Sequence, residues 1–300
     1  MKQWVTTRCR ADLSKVAARY NISETFAEVL VKRGLYDWAS MDGYDDMVSI
    51  PKASEMLGLC EAADLIEQKL SQGKKMHIVG DYDVDGVMST YILCHGLRSL
   101  GGDVSFRLPH RQKDGYGIRD YMVTEAKEQG VDTIITCDNG ISAGQPIQTA
   151  KELGMTVVLT DHHEVPMKDG EELLPSADVI VDPKQSVDNY PYPQLCGAGI
   201  AYKLIYELYH RAGKKGCDRE LLPFAAMATV CDVVPLYGEN RSIVRRGLAG
   251  IHQTGNIGLN ALIKHLDFHK EIRAMDLGFR IGPCINAPGR LRDATESLEL

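Results

Sequence analysis

The sequence predicts an α/β protein: a mainly parallel five-stranded sheet flanked by helices, with a small helical segment before it and a helical extension after it. Three observations carry this. Five short, almost wholly apolar runs alternate with stretches whose apolar residues recur at helical spacing. Strands apolar on both faces belong to a parallel sheet covered by helices on both sides. Four of the five runs end directly in an aspartate (Asp81, Asp138, Asp161 and Asp182), and open parallel sheets bind ligands beyond the carboxyl ends of their strands.

Taken in order, residues 1–50 read as a helical prelude. Asp12 is placed to cap a helix carrying Leu13, Val16, Ala17 and Tyr20, and Ser23 to cap a second with Phe26, Val29 and Leu30, stopped by Gly34. Helical spacing returns from Ala53 to Leu70. Strands follow at Met76–Gly80, Val104–Leu108, Thr133–Cys137, Thr156–Thr160 and Val179–Val181. Between them the pattern predicts helices over Met88–Leu100, Tyr121–Gln129 and Gln145–Leu153, then over Ile200–Arg211 and Pro223–Val230. The expected division is a helical segment at 1–50, a catalytic domain at 51–240 and a helical connector at 241–300. Within the connector, Gly282 to Arg290 is so rich in Gly, Pro and Asn that an ordered loop is expected. The chain stops at Leu300 inside a starting helix, which fits a piece of a longer protein.

Composition narrows the function. A net charge of −7 argues against coating nucleic acid through charge alone, yet it leaves room for a nuclease whose acids hold cations. No run is long and apolar enough to cross a bilayer. The start, Met1-Lys2-Gln3-Trp4, leads into polar residues and not into a signal peptide. Eight cysteines without a C-x-x-C pair suit a reducing cytoplasm better than a disulfide framework or a thiolate zinc site.

The chemistry concentrates in Gly80-Asp81-Tyr82-Asp83-Val84-Asp85-Gly86. On an extended backbone Asp81, Asp83 and Asp85 share one side. Three like charges so close are costly unless a cation lies among them. An EF-hand is excluded, because its twelfth position here is Ile92 and a strand precedes it. With Asp138, Asp161, Asp232, His162 and His163, the donors exceed the needs of one ion. Two divalent cations about 3.5–4 Å apart are expected, manganese first and magnesium next, poised for displacement at phosphorus. Extended geometry turns His162 and His163 to opposite sides, one towards metal and the other towards phosphate. Arg107, Arg111, Arg280 and Arg290 are the candidate phosphate forks, and Tyr116 the candidate base-stacking ring. Gly197-Ala198-Gly199 opens a helix whose N–H groups can hold a phosphate, although close packing explains the glycines equally well.

Together, Gly80 to Gly86, Asp138-Asn139-Gly140, Asp161-His162-His163, Gly197-Ala198-Gly199 and Asp232-Val233-Val234-Pro235 resemble the ordered motifs of the DHH phosphoesterases. Arg111, Gly115-Tyr116-Gly117 and Asn286-Ala287-Pro288-Gly289-Arg290 resemble the RecJ-type branch. The resemblance implies a metal-dependent 5′-to-3′ exonuclease that degrades single-stranded DNA to mononucleotides in recombination and repair. It implies that Asp83 and Asp85 ligate different ions with Asp81 assisting, that Asp138 bridges them, and that His162 and Asp232 complete the site around Asp85. His163 is implied to meet the scissile phosphate, and Arg111, Tyr116, Gly197, Gly199, Asn286 and Arg290 to bind substrate. Many phosphatases of the superfamily carry histidine where this chain has Val79, which favours the exonuclease branch. Single-stranded DNA is the expected partner, with a single-strand-binding protein and a helicase beside it. The alternative is a phosphoesterase acting on nanoRNA, adenosine bisphosphate or cyclic dinucleotides.

Overall fold

Five strands, β1 (Met76–Val79), β2 (Val104–Arg107), β3 (Thr133–Thr136), β4 (Thr156–Thr160) and β7 (Val179–Val181), form the sheet in a computed structural model that describes residues 11–35, 50–268 and 270–300. A two-stranded hairpin, β5 (Met167–Lys168) with β6 (Glu171–Glu172), lies between β4 and β7 in the chain. All five expected strands form, within a residue at each end. The sheet order is β2-β1-β3-β4-β7, parallel throughout. Met76 pairs with Val104 on one side and Thr133 on the other, so the first strand is interior and its acidic end faces the middle of the rim.

Helices cover both faces, as wholly apolar strands require. On one side Met76 and Ile78 pack with α3 (Leu59–Ser71), α4 (Val84–Ser99), α7 (Gly197–Arg211) and α8 (Cys217–Cys231). On the other, Val79, Ile134 and Val157 pack with α5 (Asp120–Glu128) and α6 (Gly144–Glu152). Pro223 sits within α8, which begins at Cys217, earlier than the sequence pattern indicated.

Residues 50–300 form one compact unit, and the described residues 11–35 belong to another. Helix α9 (Gly238–Gly250) passes through the expected boundary at 240, where the structure shows no break. In the smaller unit, Asp12 and Ser23 cap α1 (Leu13–Tyr20) and α2 (Glu24–Lys32) as their sequence positions indicate. The parts of that segment at 1–10 and 36–49 lie outside the described residues.

The expected loop at Gly282–Arg290 is a helix. After α10 (Ile257–His265), a continuous rod comprises α11 (Ala274–Asp276), a π-turn (Leu277–Ile281) and α12 (Gly282–Leu291), with α13 (Thr295–Glu299) beyond. Pro283 lacks an N–H for the usual bond to the turn before it. The π-turn places one extra residue just ahead of it, and the proline then sits at a helix start where no N–H is needed. Composition marked the punctuation correctly but mistook a bulged helix for a loop.

Candidate active site

Strand β1 stops at Val79, and the chain turns sharply into α4. A Cβ on Gly80 would collide with the Thr90 hydroxyl, and one on Gly86 would lie 2.5 Å from the Asp81 backbone, so only glycine lets the turn close. Asp83 is the N-cap of α4, accepting a hydrogen bond from the Gly86 N–H at 3.1 Å, and Asp85 lies in the first helical turn. The three aspartates are therefore not alternate residues of one extended strand. They converge because a strand end, a helix cap and a first turn meet within five residues.

The end of β3 supplies Asp138 in a left-handed conformation, φ +59°, which costs energy for a non-glycine residue. Its surroundings hold it there. Asn139 donates from its amide to the carbonyls of Val79 and Cys137 and accepts from Ile118 N–H, locking β1 to β3. Tyr116 donates its hydroxyl to the Asp138 carbonyl at 2.6 Å. A Cβ on Gly197 would come within 2.7 Å of the Asp138 side chain, so α7 can approach only without one.

At the end of β4, Asp161 is buried and accepts from the N–H groups of Ile141, His162 and His163 as well as from His163 Nδ1, at 2.7 Å. This folds the chain so that the two imidazoles lie together, 4.4 Å between centroids, and not on opposite sides as an extended segment requires. Burial alone would raise the Asp161 pKa, but the hydrogen bonds from His163 and the backbone bring it below the ordinary value. Asp161 anchors the pair; its role escaped a reading of residue types because a carboxylate before two histidines also fits a ligand. Asp182, at the end of β7, is fully buried, and burial pushes its pKa up to about 8.

Asp85 accepts from the N–H groups of Gly197 and Ala198 at 2.7 and 2.8 Å. The start of α7 thus receives a carboxylate of this chain, which corrects the expectation that it cradles a phosphate. Gly199 bonds back to the Cys196 carbonyl and packs on Leu195, away from the acids. Asp232 ends α8, followed by Val233 at φ +61°, a conformation rare for a β-branched residue.

These pieces meet. His162 Nε2 lies 3.0 Å from Asp138 Oδ1, 3.5 Å from Asp85 Oδ2 and 3.9 Å from Asp232 Oδ2. Three overlapping donor groups have ligand atoms within 4.8 Å of one another: Asp81-Asp83-Asp138, Asp85-His162-Asp232 and Asp138-His162-His163. Burial, then the charge of Asp83, pushes Asp81 up to about 7; burial, then Asp85 and Asp83, pushes Asp232 up to about 7. Asp138 is driven well above the usual carboxylate range by burial and by Asp85 and Asp83. Burial lowers His162, leaving a neutral imidazole with one ring-nitrogen lone pair to offer. Mutually repelling carboxylates beside a neutral imidazole are a donor set suited to divalent cations.

A cleft of about 470 Å³ opens beside the acids, lined by Asp83, Asp85 and Asp232 on one wall and by Asn286, Ala287 and Arg290 on the other. Gly289 permits this, because a Cβ there would meet the Tyr82 carbonyl at 2.6 Å. Arg111 lies over the Tyr82 ring, 5.1 Å from its centroid. Arg107 turns instead to Tyr121 and Glu125 on α5, and Arg280 to Asp276, the Leu266 carbonyl and the Phe268 ring. Neither lines the cleft. The Tyr116 ring packs edge-on against His163 with its hydroxyl committed to Asp138, so it is held within the site and not presented on a free loop.

Comparison with known proteins agrees with this geometry. The family model described as DHH family, N-terminal domain, matches residues 75–229. The single-stranded-DNA-specific exonuclease RecJ of Bacillus subtilis (strain 168) is 39% identical over 97% of this chain, and that of Thermus thermophilus is 39% identical over 81%. The chain spans only 36% and 35% of those relatives' lengths. Among solved structures, RecJ in complex with Mn2+ from Thermus thermophilus superposes with a TM-score of 0.80 at 31% identity, covering 98% of this chain and 41% of that one. An exonuclease RecJ bound to manganese gives 0.73 at 37% identity, over 81% of this chain and 60% of that one. The five-stranded parallel sheet, the acids at its rim and the family match over 75–229 together establish that this chain belongs to the DHH family.

Proposed function

We propose that this chain carries the hydrolytic centre of a metal-dependent exonuclease that degrades single-stranded DNA from the 5′ end to mononucleotides. The observation that carries the reading is the overlap of the three donor groups, with Asp138 and His162 each shared between two of them. Asp81, Asp83 and Asp138 would hold one cation; Asp85, His162, Asp232 and Asp138 would hold the other. When bound, such cations supply Lewis acidity, acidifying an attacking water and offsetting charge on the phosphate.

The chain's own groups complete the site. His163, fixed by Asp161 and Tyr116, is raised above the ordinary imidazole pKa: burial opposes this, and the Asp161 carboxylate outweighs it. It is thereby a donor directed at a phosphate oxygen. Arg290 lines the cleft and offers a guanidinium fork, Arg111 is held over the Tyr82 ring as a second basic group, and Asn286 also lines the cleft, its Oδ1 buried without a partner in the protein. A role in recombination and repair, recruitment by a single-strand-binding protein and a helicase, and a cytoplasmic setting belong to the same reading. The described cysteines are free, as a reducing compartment keeps them. Among the described residues, no helix is long and apolar enough to cross a membrane.

The test uses single strands labelled at one end or the other, with and without manganese. Mononucleotide release from the 5′ end, dependent on metal and absent on duplex, is expected. Equal cleavage of duplex, or hydrolysis confined to dinucleotides and small nucleotides, overturns it.

A further inference from the structure

The acidic rim is bracketed by two cations. In the sheet order β2-β1-β3-β4-β7, the three inner strands deliver Asp81, Asp138 and Asp161, while the edge strands lead to basic residues, Arg111 after β2 and Lys184 after β7. Asp182 builds the turn that presents Lys184. Fully buried at the end of β7, it accepts the Lys184 N–H on Oδ1 at 2.9 Å, and its carbonyl accepts from the Gln185 N–H and side chain at 3.2 and 3.0 Å. The Asp161 N–H bonds to the Val181 carbonyl, so β4 and β7 leave the sheet at one level. Lys184 Nζ then meets Glu164 Oε1 at 3.0 Å, and Glu164 directly follows His163. The Lys184 side chain is 26% exposed and that of Glu164 85%, so the lysine stem is held while its partner stands in solvent. Burial acts most strongly on the pKa values of His162 and Asp232, down for the first and up for the second, and the Lys184 charge lowers both. Lys184 thus lies in the field of the site, although it is not part of the cleft wall that carries Arg290.

We infer that Lys184 is a strand-binding residue in its own right: when single-stranded DNA binds, its ammonium exchanges the Glu164 carboxylate for a phosphate oxygen, and the strand crosses the rim from the Arg111 edge to the β7 edge. The inference deepens the proposed function and rests on it. Four inter-strand steps of about 4.8 Å separate the two edges, roughly 19 Å in all, which is more than one phosphate spans. A cation at each edge therefore meets a different phosphate of the strand. A strut would have both members buried, as Lys203 and Glu239 are. The Lys184–Glu164 pair has one member in open solvent, and exposed ion pairs hold weakly, so Glu164 yields to an arriving phosphate. Until then it keeps the ammonium at the end of β4, beside the histidines. Lysine suits the exchange, being a compact charge on a flexible stem that needs no fixed fork geometry.

The test measures binding of a fluorescently labelled single strand to the 300-residue chain, with calcium replacing manganese. Salt is varied between about 50 and 200 mM. Lys184→Met keeps the stem and removes the charge. It is expected to lower affinity and to reduce the slope of log affinity against log salt by about 0.7, the share of one phosphate contact on a single strand. The loss of affinity across that salt range then shrinks by about 2.6-fold. Lys184→Arg keeps both properties of the parent. Glu164→Gln should tighten strand binding, and most of that gain should vanish in the Lys184→Met background. Because Glu164 is solvent-exposed, this variant reports even where Lys184→Met folds poorly, and no tightening by it overturns the inference. If the parent binds and cleaves single strands while Lys184→Met matches it in affinity and slope, Lys184 is no strand contact and the nuclease reading stands. If Lys184→Met changes manganese affinity in calorimetry without changing strand affinity, the lysine serves the metals and the inference is overturned. If the parent neither binds nor cleaves single strands, the nuclease reading falls and the role of Lys184 with it.

Discussion

Two buried polar clusters lie within the larger unit, and they are built on opposite plans. In one, Lys203 Nζ sits 2.6 Å from Glu239 Oε1 and also donates to the Pro51 carbonyl, while Tyr190 donates its hydroxyl to Glu239 Oε2. Burial pushes Glu239 up and Lys203 down, and their attraction opposes both shifts. Opposite charges face each other, so the cluster is complete. In the other, Asp81, Asp83, Asp85, Asp138 and Asp232 surround a neutral His162, and like charges face like. The first cluster is balanced from within and its function is to hold helices together. The second can be balanced only by something from outside, and that imbalance distinguishes a site from a strut.

The sharpest break between the two comes from removing one member of each. Asp138→Asn should reduce metal-dependent hydrolysis to the metal-free background, yet leave the chelator-treated protein as stable as the parent or more so, because a buried carboxyl that folding forces to hold a proton is gone. Lys203→Met should do the reverse. It strands Glu239 without its partner and should cost roughly 3–5 kcal/mol in denaturant melts, with metal binding unchanged. If Asp138→Asn unfolds the chain, the acids are structural and the comparison fails.

A smaller effect comes from the cation itself. At 100-fold excess over its dissociation constant, manganese should stabilise the parent by about 2.7 kcal/mol, seen as a rise in melting temperature that Asp138→Asn lacks. Smaller still is a pH effect. Asp81 holds its proton up to about pH 7 when folded but only to the ordinary carboxylate range when unfolded. The folded state thus binds the extra proton between about 4 and 7, and rising pH removes stability across that window. In chelator, Asp81→Asn should gain on the parent as pH climbs from 4 to 7; a constant gap in thermal melts would show that folding does not raise the Asp81 pKa. The smallest expected change is Tyr116→Phe, which keeps the ring and removes the hydroxyl from the Asp138 carbonyl. It should weaken manganese affinity about 10-fold, as loss of an orienting group does, with melting temperature unmoved. Unchanged affinity would remove Tyr116 from the positioning of Asp138.

Much of the site was legible because strand ends announce themselves: an apolar run that stops at a carboxylate places that carboxylate on the rim, whatever follows. The convergence of Asp81, Asp138 and His162 was readable on that basis, whereas Asp232 ends a helix and was a weak sign by itself. What residue types could not show was the turn after each strand. Asp83 is as good a helix cap as a ligand, and the period-two reading assumed a strand that had already ended at Val79. The same assumption separated His162 from His163, which Asp161 brings together through backbone hydrogen bonds. Asn139 was visible only as part of a motif; its bridging of β1 and β3 depends on a sheet order that sequence does not state. The four arginines looked equivalent, but Arg107 and Arg280 found partners elsewhere, and only packing could say so.

Val233 carries a consequence of its own. It is 86% exposed and supports no core, yet it occupies a backbone conformation that glycine or asparagine adopts far more readily. Asparagine at this position should therefore be tolerated, because what the site draws on there is the left-handed turn that carries the chain away just after the helix delivers Asp232, and not the valine side chain.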